Sequence, residues 1–216
     1  MKLRVLLLVL LAVVASMTSS SASVTTLGGT AYAGWNMIAL DGVPIDPAPT
    51  SVFSGITVDG MLIRWDGASQ SQYTYDMWAP DIFGNVLLSE GYWLLCESTL
   101  PYSYQGLNDT DAMDIWISLP KAGWTMIGTP FSKQFPWEST KVTDGNVTVS
   151  MAVAAKTNNW LSAFAFWWEA ETQSQYDLGL PEDWPFTDKM QPKHGYWVNS
   201  YVDKLALILE SEYTIP

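Results

Sequence analysis

The sequence predicts an all-β fold, mostly antiparallel, in which two similar β-repeats pack as one compact sandwich- or barrel-like unit. A Gly-Trp strand occurs twice, at Gly34–Ala39 and Gly123–Gly128, and each copy is followed later by a Gly-Tyr-Trp strand, at residues 91–93 and 195–197. The apolar runs are short and bounded by glycine, proline or polar turns, which is typical of strands. No long stretch has the period of an amphipathic helix.

A third marker lies between these two in each copy. Trp65–Tyr73 aligns without gaps on Trp168–Tyr176, and both contain Gln-Ser-Gln-Tyr. The Gly-Trp markers start at positions 34 and 123 and the middle markers at 65 and 168, so the offset grows from 89 to 103 residues. Three markers in one order indicate a tandem duplication. Two copies are too few for a solenoid, which needs about three repeats, so the copies are predicted to pack together or to share strands.

The chain divides into a leader and two repeats. Residues 1–22 begin with basic residues, continue through the apolar run Val5–Ala15 and end in small polar residues, which is the layout of a secretory signal peptide. Retention as an anchor is the alternative, although the run is shorter than the ~20 residues that span a bilayer. No later apolar stretch is long enough to span a membrane. Residues 23–110 form the first predicted β-repeat and residues 111–216 the second.

Local patterns place the strands of the first repeat. Trp35–Leu40 is short and apolar and is predicted to be a buried strand. Ile56–Trp65 is predicted to be a hairpin, because its central Asp59-Gly60 pair supplies the positive φ angles of a tight turn. Ser71–Asp76 alternates and forms a further strand, and Leu87–Leu95 contains the Gly-Tyr-Trp strand.

The second repeat carries the extra residues, which we place in an enlarged hairpin over residues 144–168. Valine and methionine alternate with smaller or polar residues from Val147 to Val153, as in a half-buried strand. Lys156–Asn159 is a predicted turn, and Trp160–Trp168 is predicted to be a fully buried strand. Met113–Leu119 opens this repeat, and Leu205–Leu209 closes its sheet.

Composition excludes some classes of function. The chain has 22 acidic and 10 basic residues and a net charge of −12. Such a surface repels phosphate backbones, so nucleic acid is not an expected partner. The charge suits a secreted or cell-surface protein, with prokaryotic export as the expected route. Cys96 is the single cysteine, so no intrachain disulfide forms, and its apolar neighbours predict a buried, inert thiol.

Tryptophan is the most conspicuous residue type, with 12 copies. The tryptophans of the marker strands are predicted to be core residues: Trp35, Trp93, Trp124 and Trp197. A second group of aromatic residues flanks polar loops rich in Asn, Gln and Asp. These rings are the candidate ligand-binding residues, since exposed aromatic faces stack on sugar rings: Trp65, Tyr73, Trp78, Trp168, Tyr176 and Trp184. The alternative is that they cover the sheet, because aromatic residues fit pleated surfaces.

Other candidate sites are weaker. Asp109, Asp111 and Asp114 place three carboxylates in a short turn and form a candidate calcium site, although the spacing lacks the glycine and the terminal glutamate of an EF-hand. A solvated acidic turn is the alternative. His194 is the single histidine and is predicted to be a loop residue beside the second Gly-Tyr-Trp marker. No catalytic residue and no cofactor other than calcium is predicted.

The markers resemble a repeat module of exported bacterial and archaeal surface proteins, whose pattern is Gly-Trp-Asn-Leu-Ile, then Trp-x-Tyr-Asp, then Gly-Tyr-Trp-Ile. Leu119–Phe131 is similar to the start of such a repeat and Gly195–Val198 to its later marker. The first copy departs from the pattern at Ala39–Asp41. The resemblance implies a β-rich accessory module of secreted or cell-surface proteins and carries no catalytic residues.

These observations leave three functions open. The first is an exported, non-catalytic structural or interaction protein with a surface protein as its partner. The second is a carbohydrate-binding module that uses exposed Trp and Tyr, with a glycan as its partner. The third is a secreted hydrolase, since a pair of carboxylates at the required separation cannot be recognised in the sequence. Solvent-facing rings beside Gln and Asp would favour the second function, and buried rings would favour the first.

Overall fold

The computed structural model describes residues 23–180 and 187–215, so the predicted signal peptide at residues 1–22 lies outside it. The fold is all-β and mostly antiparallel, as predicted. The strands of the first half are β1 (Val24–Ala31), β2 (Gly34–Ile38), β3 (Val43–Pro44), β4 (Leu62–Asp66), β5 (Ser71–Thr74), β6 (Tyr92–Cys96) and β7 (Leu100–Leu107). Those of the second half are β8 (Ile115–Leu119), β9 (Gly123–Gly128), β10 (Phe135–Pro136), β11 (Lys141–Thr143), β12 (Thr148–Ser150), β13 (Leu161–Glu169), β14 (Ser174–Leu178), β15 (Lys189–Met190), β16 (Gly195–Ser200) and β17 (Leu205–Leu209).

The helical segments in the described residues are short. Two are α-helical, Pro49–Val52 and Pro80–Phe83, and each begins with the proline that suits a first helical position. Three 3₁₀ turns and one π-helical segment complete the helical elements: Asp109–Ala112, Trp137–Ser139, Ser211–Tyr213 and Val153–Thr157. No helix in the described ranges has the length and apolarity needed to cross a membrane.

The two halves repeat one strand topology. The first half has a four-stranded sheet in the order β2-β6-β4-β5, and the second half has its counterpart in the order β9-β16-β13-β14. A second sheet in each half follows the same pattern, β1-β7-β3 in the first and β8-β17-β11-β12 in the second. A two-stranded ribbon, β10-β15, belongs to the second half. The four main sheets are arranged around an axis in one compact unit.

Each half has its own apolar core. The first core includes Ile38, Leu62 and Leu94, and the second includes Ile127, Ala165 and Val198. These residues lie on one face of the two four-stranded sheets. Met37 lies on the opposite face of β2 and is buried with the second core, and Met126 occupies the matching position on β9. The outer faces of the two sheets therefore meet between the halves.

Two predicted hairpins are wrong. In the first half the Asp59-Gly60 turn forms and Gly60 has φ +69°, but residues 56–58 are not a strand, because β4 pairs with β5 and β6 instead. In the second half, residues 144–168 do not form one enlarged hairpin. There β12 pairs with β11, the chain turns through the π-helical segment, and β13 pairs with β14 and β16. Local alternation predicted the strands but not their partners.

Two further expectations concern burial. Cys96 is buried, as predicted, and burial raises the pKa of its thiol. The strand β13 is not buried on both faces, since Ala165 and Trp167 are buried whereas Phe166 and Trp168 are partly exposed. This alternation aims one set of aromatic rings at the core and the other set at the space between the halves.

Candidate binding clefts

The strand register places the marker tryptophans on the face opposite the core. In the first half Trp93 pairs with Met37 on one side and with Ile63 on the other, so the three side chains share the outer face. The next residue, Leu94, points into the core beside Leu62. Because side chains alternate along a strand, Tyr92-Trp93-Leu94 sends the tyrosine and the leucine inward and the tryptophan outward.

These outer-face rings form a cleft, which we name the Trp93 cleft. Its volume is about 450 Å³, and it is lined by Trp35, Ile63, Gln72, Trp93 and Trp168. Four of these residues come from the first half, and Trp168 comes from the second. The cleft therefore lies at the boundary between the halves and needs both of them.

A second cleft, the Trp197 cleft, has the same plan with the halves exchanged. Its volume is about 360 Å³, and it is lined by Trp65, Trp124, Phe166, Gln175 and Trp197. Each lining residue of one cleft has its counterpart at the repeat-equivalent position of the other. Phe166 in place of Ile63 is the one change of residue type. Both volumes fall in the range of small-molecule sites, roughly 300–1,000 Å³.

The rings touch one another in the same arrangement in both clefts. Trp93 packs edge-to-face with Trp35 and with Trp168, with centroids 5.9 Å away in each case. In the second cleft Trp197 packs against Trp65 at 5.5 Å and Trp124 at 6.3 Å. Interplanar angles of 65° to 85° favour attraction between aromatic quadrupoles. The central ring is thus fixed between two others that present faces in different directions.

The glutamines of the Gln-Ser-Gln-Tyr motif hold the two halves together. Gln173 Oε1 accepts a hydrogen bond from the Trp35 backbone N–H at 2.9 Å, and Gln173 Nε2 donates to the Trp35 carbonyl oxygen at 2.9 Å. Gln70 makes the same pair of bonds with the backbone of Trp124, at 3.0 and 2.9 Å. The second glutamine of each motif, Gln72 or Gln175, lines a cleft instead. One motif therefore supplies both a clamp on the opposite half and a polar group to a cleft.

The glycine of each Gly-Trp marker makes room for this clamp. Gly34 has φ +96° and Gly123 has φ +128°, and a Cβ atom on either would collide with the amide of the clamping glutamine. The glycines of the Gly-Tyr-Trp markers have a related role. A Cβ on Gly91 would lie 3.3 Å from the Gly195 Cα atom, and the reverse distance is the same. The two Gly-Tyr-Trp strands begin against each other at the centre of the molecule.

The tyrosines of these markers brace the loops that precede the strands. The Tyr92 hydroxyl accepts from the Leu87 backbone N–H at 2.8 Å and donates to Glu90 at 2.8 Å. The Tyr196 hydroxyl accepts from the Gln191 backbone N–H at 2.6 Å. Both rings are fully buried, and burial raises the pKa of both hydroxyls well above the ordinary value. They therefore stay protonated and keep these bonds at neutral pH.

The structure corrects the prediction that the four marker tryptophans are core residues. Trp35 is 37% exposed and Trp124 is 38% exposed, while Trp93 and Trp197 are partly buried. They line the clefts together with Trp65 and Trp168, the two predicted ligand-binding residues that the structure does place there. The signal that could have identified the clefts is the alternation in the marker strands, which puts one apolar residue in two on the outer face.

The other predicted ligand-binding residues lie elsewhere. Tyr73 is on the core face of its sheet, where the Arg64 guanidinium lies 5.8 Å from its ring. Tyr176 stacks on Trp167 with centroids 5.2 Å apart, also on the face away from the clefts. Trp78 is 86% exposed but lines neither cleft. Trp184 lies outside the described residues.

Two of the three predicted calcium ligands, Asp111 and Asp114, bind different parts of the chain. Asp111 accepts hydrogen bonds from the backbone N–H and the hydroxyl of Ser132, whereas Asp114 accepts from the Ser211 backbone N–H at 3.0 Å. The side chain of Asp109 lies outside the description. Within the described ranges no three His, Cys, Asp or Glu side chains are placed to hold a metal ion. The geometry gives calcium binding no support, and it is not part of our proposal.

His194 lies in the loop before β16, as predicted. Its Nδ1 atom is 2.8 Å from the Pro192 carbonyl oxygen, and its ring meets Trp167 edge-on at 5.0 Å. Within the two aromatic clefts the polar side chains are amides, which donate and accept hydrogen bonds but do not transfer protons. The chemistry that the clefts offer is ring stacking with one amide contact in each.

Comparison with protein-family models, with curated proteins and with solved structures gave no match.

Proposed function

We propose that this protein is an exported, non-catalytic binding module whose two aromatic clefts each take a saccharide ring. The observation that carries the proposal is the duplicated set of three tryptophans and one glutamine, open to solvent at the boundary between the halves. Indole faces stack on the apolar C–H faces of sugars, and an amide offers both a donor and acceptors to sugar hydroxyls. Neutral glycans suit an acidic chain because they meet no charge repulsion.

Exposure of the rings supports this proposal over a purely structural role. A core packed for stability buries its largest apolar side chains, whereas Trp35 and Trp124 keep more than a third of their surface in water. Exposed apolar patches of this kind mark contact sites. The reciprocal glutamine clamps explain how the rings are held without being buried, since the backbone of each exposed tryptophan is fixed from the opposite half.

Tryptophan fluorescence of the exported chain, titrated with a panel of soluble polysaccharides, tests the proposal. The panel holds neutral β-glucans, mannans and chitin oligomers. We expect saturable quenching or a spectral shift with at least one of them. Trp35→Ala and Trp124→Ala should each weaken binding at one cleft by about thirtyfold, which corresponds to about 2 kcal/mol for a central tryptophan contact.

The control is Trp78→Ala, which removes an exposed tryptophan outside both clefts and should leave the affinity unchanged. A loss of binding in Trp78→Ala with normal binding in the cleft variants would move the site away from the clefts. Absence of any spectral response across the panel would contradict saccharide binding and leave a structural or protein-binding role.

A further inference from the structure

A polar cleft shares one lining residue, Trp65, with the Trp197 cleft. Its volume is about 280 Å³, and its lining includes Arg64, Trp65, Asp66, Glu90, Trp116 and Ser118. Trp65 also lines the Trp197 cleft. The two clefts therefore lie beside each other, and a ligand that stacks in the Trp197 cleft lies next to the polar cleft.

An exposed ring stands at this polar cleft. Trp116 is 63% exposed on β8, the edge strand of its sheet, and Ser118 lies two residues further on the same face. Ile117 between them is buried in the core, which fixes the strand face that Trp116 presents. An indole and a hydroxyl on one strand offer stacking and hydrogen bonding together.

The charged groups of the polar cleft are held in place by bonds of their own. Arg64 Nη1 donates to the Phe83 carbonyl oxygen at 2.7 Å. Asp66 accepts from the Ala68 backbone N–H at 3.0 Å and from the Ser69 hydroxyl at 2.7 Å. The Ser69 bond lowers the pKa of Asp66, so this carboxylate is ionised at neutral pH. A carboxylate has about four acceptor positions, so Asp66 and Glu90 keep capacity for ligand hydroxyls.

The other half has a polar cleft of about 330 Å³ at the matching place, lined by Trp168, Glu169, Lys193 and His194 among others, but β1 supplies it no aromatic ring. The repeat-equivalent residue of Trp116 is Leu27, that of Ser118 is Gly29, and that of Arg64 is the buried Trp167. The register supports this equivalence, because Leu27 pairs with Tyr104 on β7 as Trp116 pairs with Ile208 on β17. The aromatic clefts are thus alike in the two halves, whereas their polar neighbours differ.

We propose that the polar cleft is a second subsite for a neutral, hydroxyl-rich sugar residue, reached across Trp65 from the Trp197 cleft. It makes the Trp197 side an extended site for a glycan longer than a disaccharide, with a ring, Trp116, that has no aromatic counterpart at the polar cleft beside Trp168. The inference rests on the proposed saccharide binding. Carboxylates accept from the sugar hydroxyls, Arg64 and Ser118 lie at the same cleft, and Trp116 stacks on the ring.

The test isolates the extended side in a Trp35→Ala background, which disables the Trp93 cleft. Isothermal titration with cellobiose and cellohexaose, chitobiose and chitohexaose, and mannobiose and mannohexaose gives the dependence on chain length. For the sugar type that binds, adding Trp116→Ala should lower the affinity for the hexasaccharide by about tenfold and leave the affinity for the disaccharide unchanged. Glu90→Gln, which keeps the shape of the side chain, should weaken the hexamer several-fold. Trp78→Ala is the matched control, an exposed tryptophan outside both clefts.

The outcomes separate the two proposals. Equal hexamer affinity with and without Trp116, in variants with unchanged near-ultraviolet circular dichroism, overturns the second subsite and leaves saccharide binding in the aromatic clefts intact. Equal losses for dimer and hexamer also overturn it, since they place Trp116 at the first subsite. If the unsubstituted protein binds none of the oligomers, both saccharide binding and the second subsite are overturned.

Discussion

Gln70 binds the backbone of Trp124, 54 residues away, through both polar atoms of its side-chain amide. Its Oε1 atom accepts a hydrogen bond from the Trp124 N–H at 3.0 Å, and its Nε2 atom donates one to the Trp124 carbonyl oxygen at 2.9 Å. Gln173 holds Trp35 in the same way from the other half. These two contacts cross the boundary between the halves in opposite directions. They fix the exposed tryptophan of each cleft, while the bridging rings, Trp65 and Trp168, pack against the central rings Trp197 and Trp93.

Shortening either clamp should destabilise the protein. Gln70 has φ +54° and Gln173 has φ +51°, and asparagine tolerates this left-handed conformation better than alanine. Gln70→Asn and Gln173→Asn therefore keep the turn but lose the reach to the opposite half. Each amide makes three hydrogen bonds, so we expect a loss of about 1–3 kcal/mol in the free energy of unfolding, measured by urea denaturation.

The matched control for the clamps is Gln72→Asn, which shortens the exposed glutamine of the same motif. It should change the free energy of unfolding by less than about 0.5 kcal/mol. Equal stability of the Gln70 and Gln72 variants would show that the clamp does not hold the halves together.

Alanine at the Gly-Trp glycines should cost more than their backbone conformation alone explains. Gly34→Ala places a Cβ at φ +96° and against the Gln173 amide. Gly55→Ala is the control, because Gly55 has φ +87° with no atom near the added Cβ. We expect about 1–3 kcal/mol of destabilisation from φ at both sites and a further loss at Gly34.

Combining Gly34→Ala with Gln173→Asn tests the source of that further loss. The two substitutions act on one contact, so their effects on the free energy of unfolding should be less than additive. Strict additivity in the double variant would contradict a collision between the Cβ atom and the clamp.

Alkaline pH should destabilise the fold through its buried tyrosines. Burial raises the pKa of Tyr92, Tyr196 and Tyr102 above the ordinary tyrosine value of 10.0. The unfolded chain therefore releases these protons before the folded one does. Their contribution to stability is complete below about pH 10 and is lost as the pH rises beyond it.

Two measurements check the alkaline prediction. Urea denaturation between pH 8 and 11 should show a free energy of unfolding that falls above about pH 10, with a shallower fall in Tyr92→Phe. Tyrosinate absorbance should show that part of the ten tyrosines ionises only when the chain unfolds. Ionisation of all ten in protein that is still folded would contradict the burial of these rings.

The strand positions followed from local patterns, but the strand partners did not. Trp35–Leu40 and the Gly-Tyr-Trp runs were recognisable because apolar residues lie between glycine and polar turns, and the Asp59-Gly60 turn was recognisable from its residue types. The hairpin at residues 144–168 was wrong because alternation shows that a segment is extended, not which strand it pairs with. Pairing of β11 with β12 and of β13 with β14 depends on contacts that a single sequence does not display.

The candidate site was only half predictable for a related reason. The sequence predicts Trp65 and Trp168 to be ligand-binding residues because they lie beside polar loops, and it predicts Trp35 and Trp93 to be core residues because they lie in apolar runs. Both faces of these strands carry apolar residues, since one face meets the core and the other meets the opposite half. The sequence pattern is the same whether the opposite half covers this outer face completely or only in part, and only the packing of the halves distinguishes the two cases.

The central claim is that the two aromatic clefts are the binding sites and that each takes one ligand. Its most direct test is the stoichiometry of an oligosaccharide that quenches the tryptophan fluorescence, measured by isothermal titration on the unsubstituted protein and on Trp35→Ala, Trp124→Ala and the double variant. We predict two sites of the original affinity per chain in the unsubstituted protein, one in each single variant and none in the double variant, whose remaining binding is about thirtyfold weaker. Binding of the original affinity in the double variant, or a number of such sites that neither single substitution changes, would contradict the account.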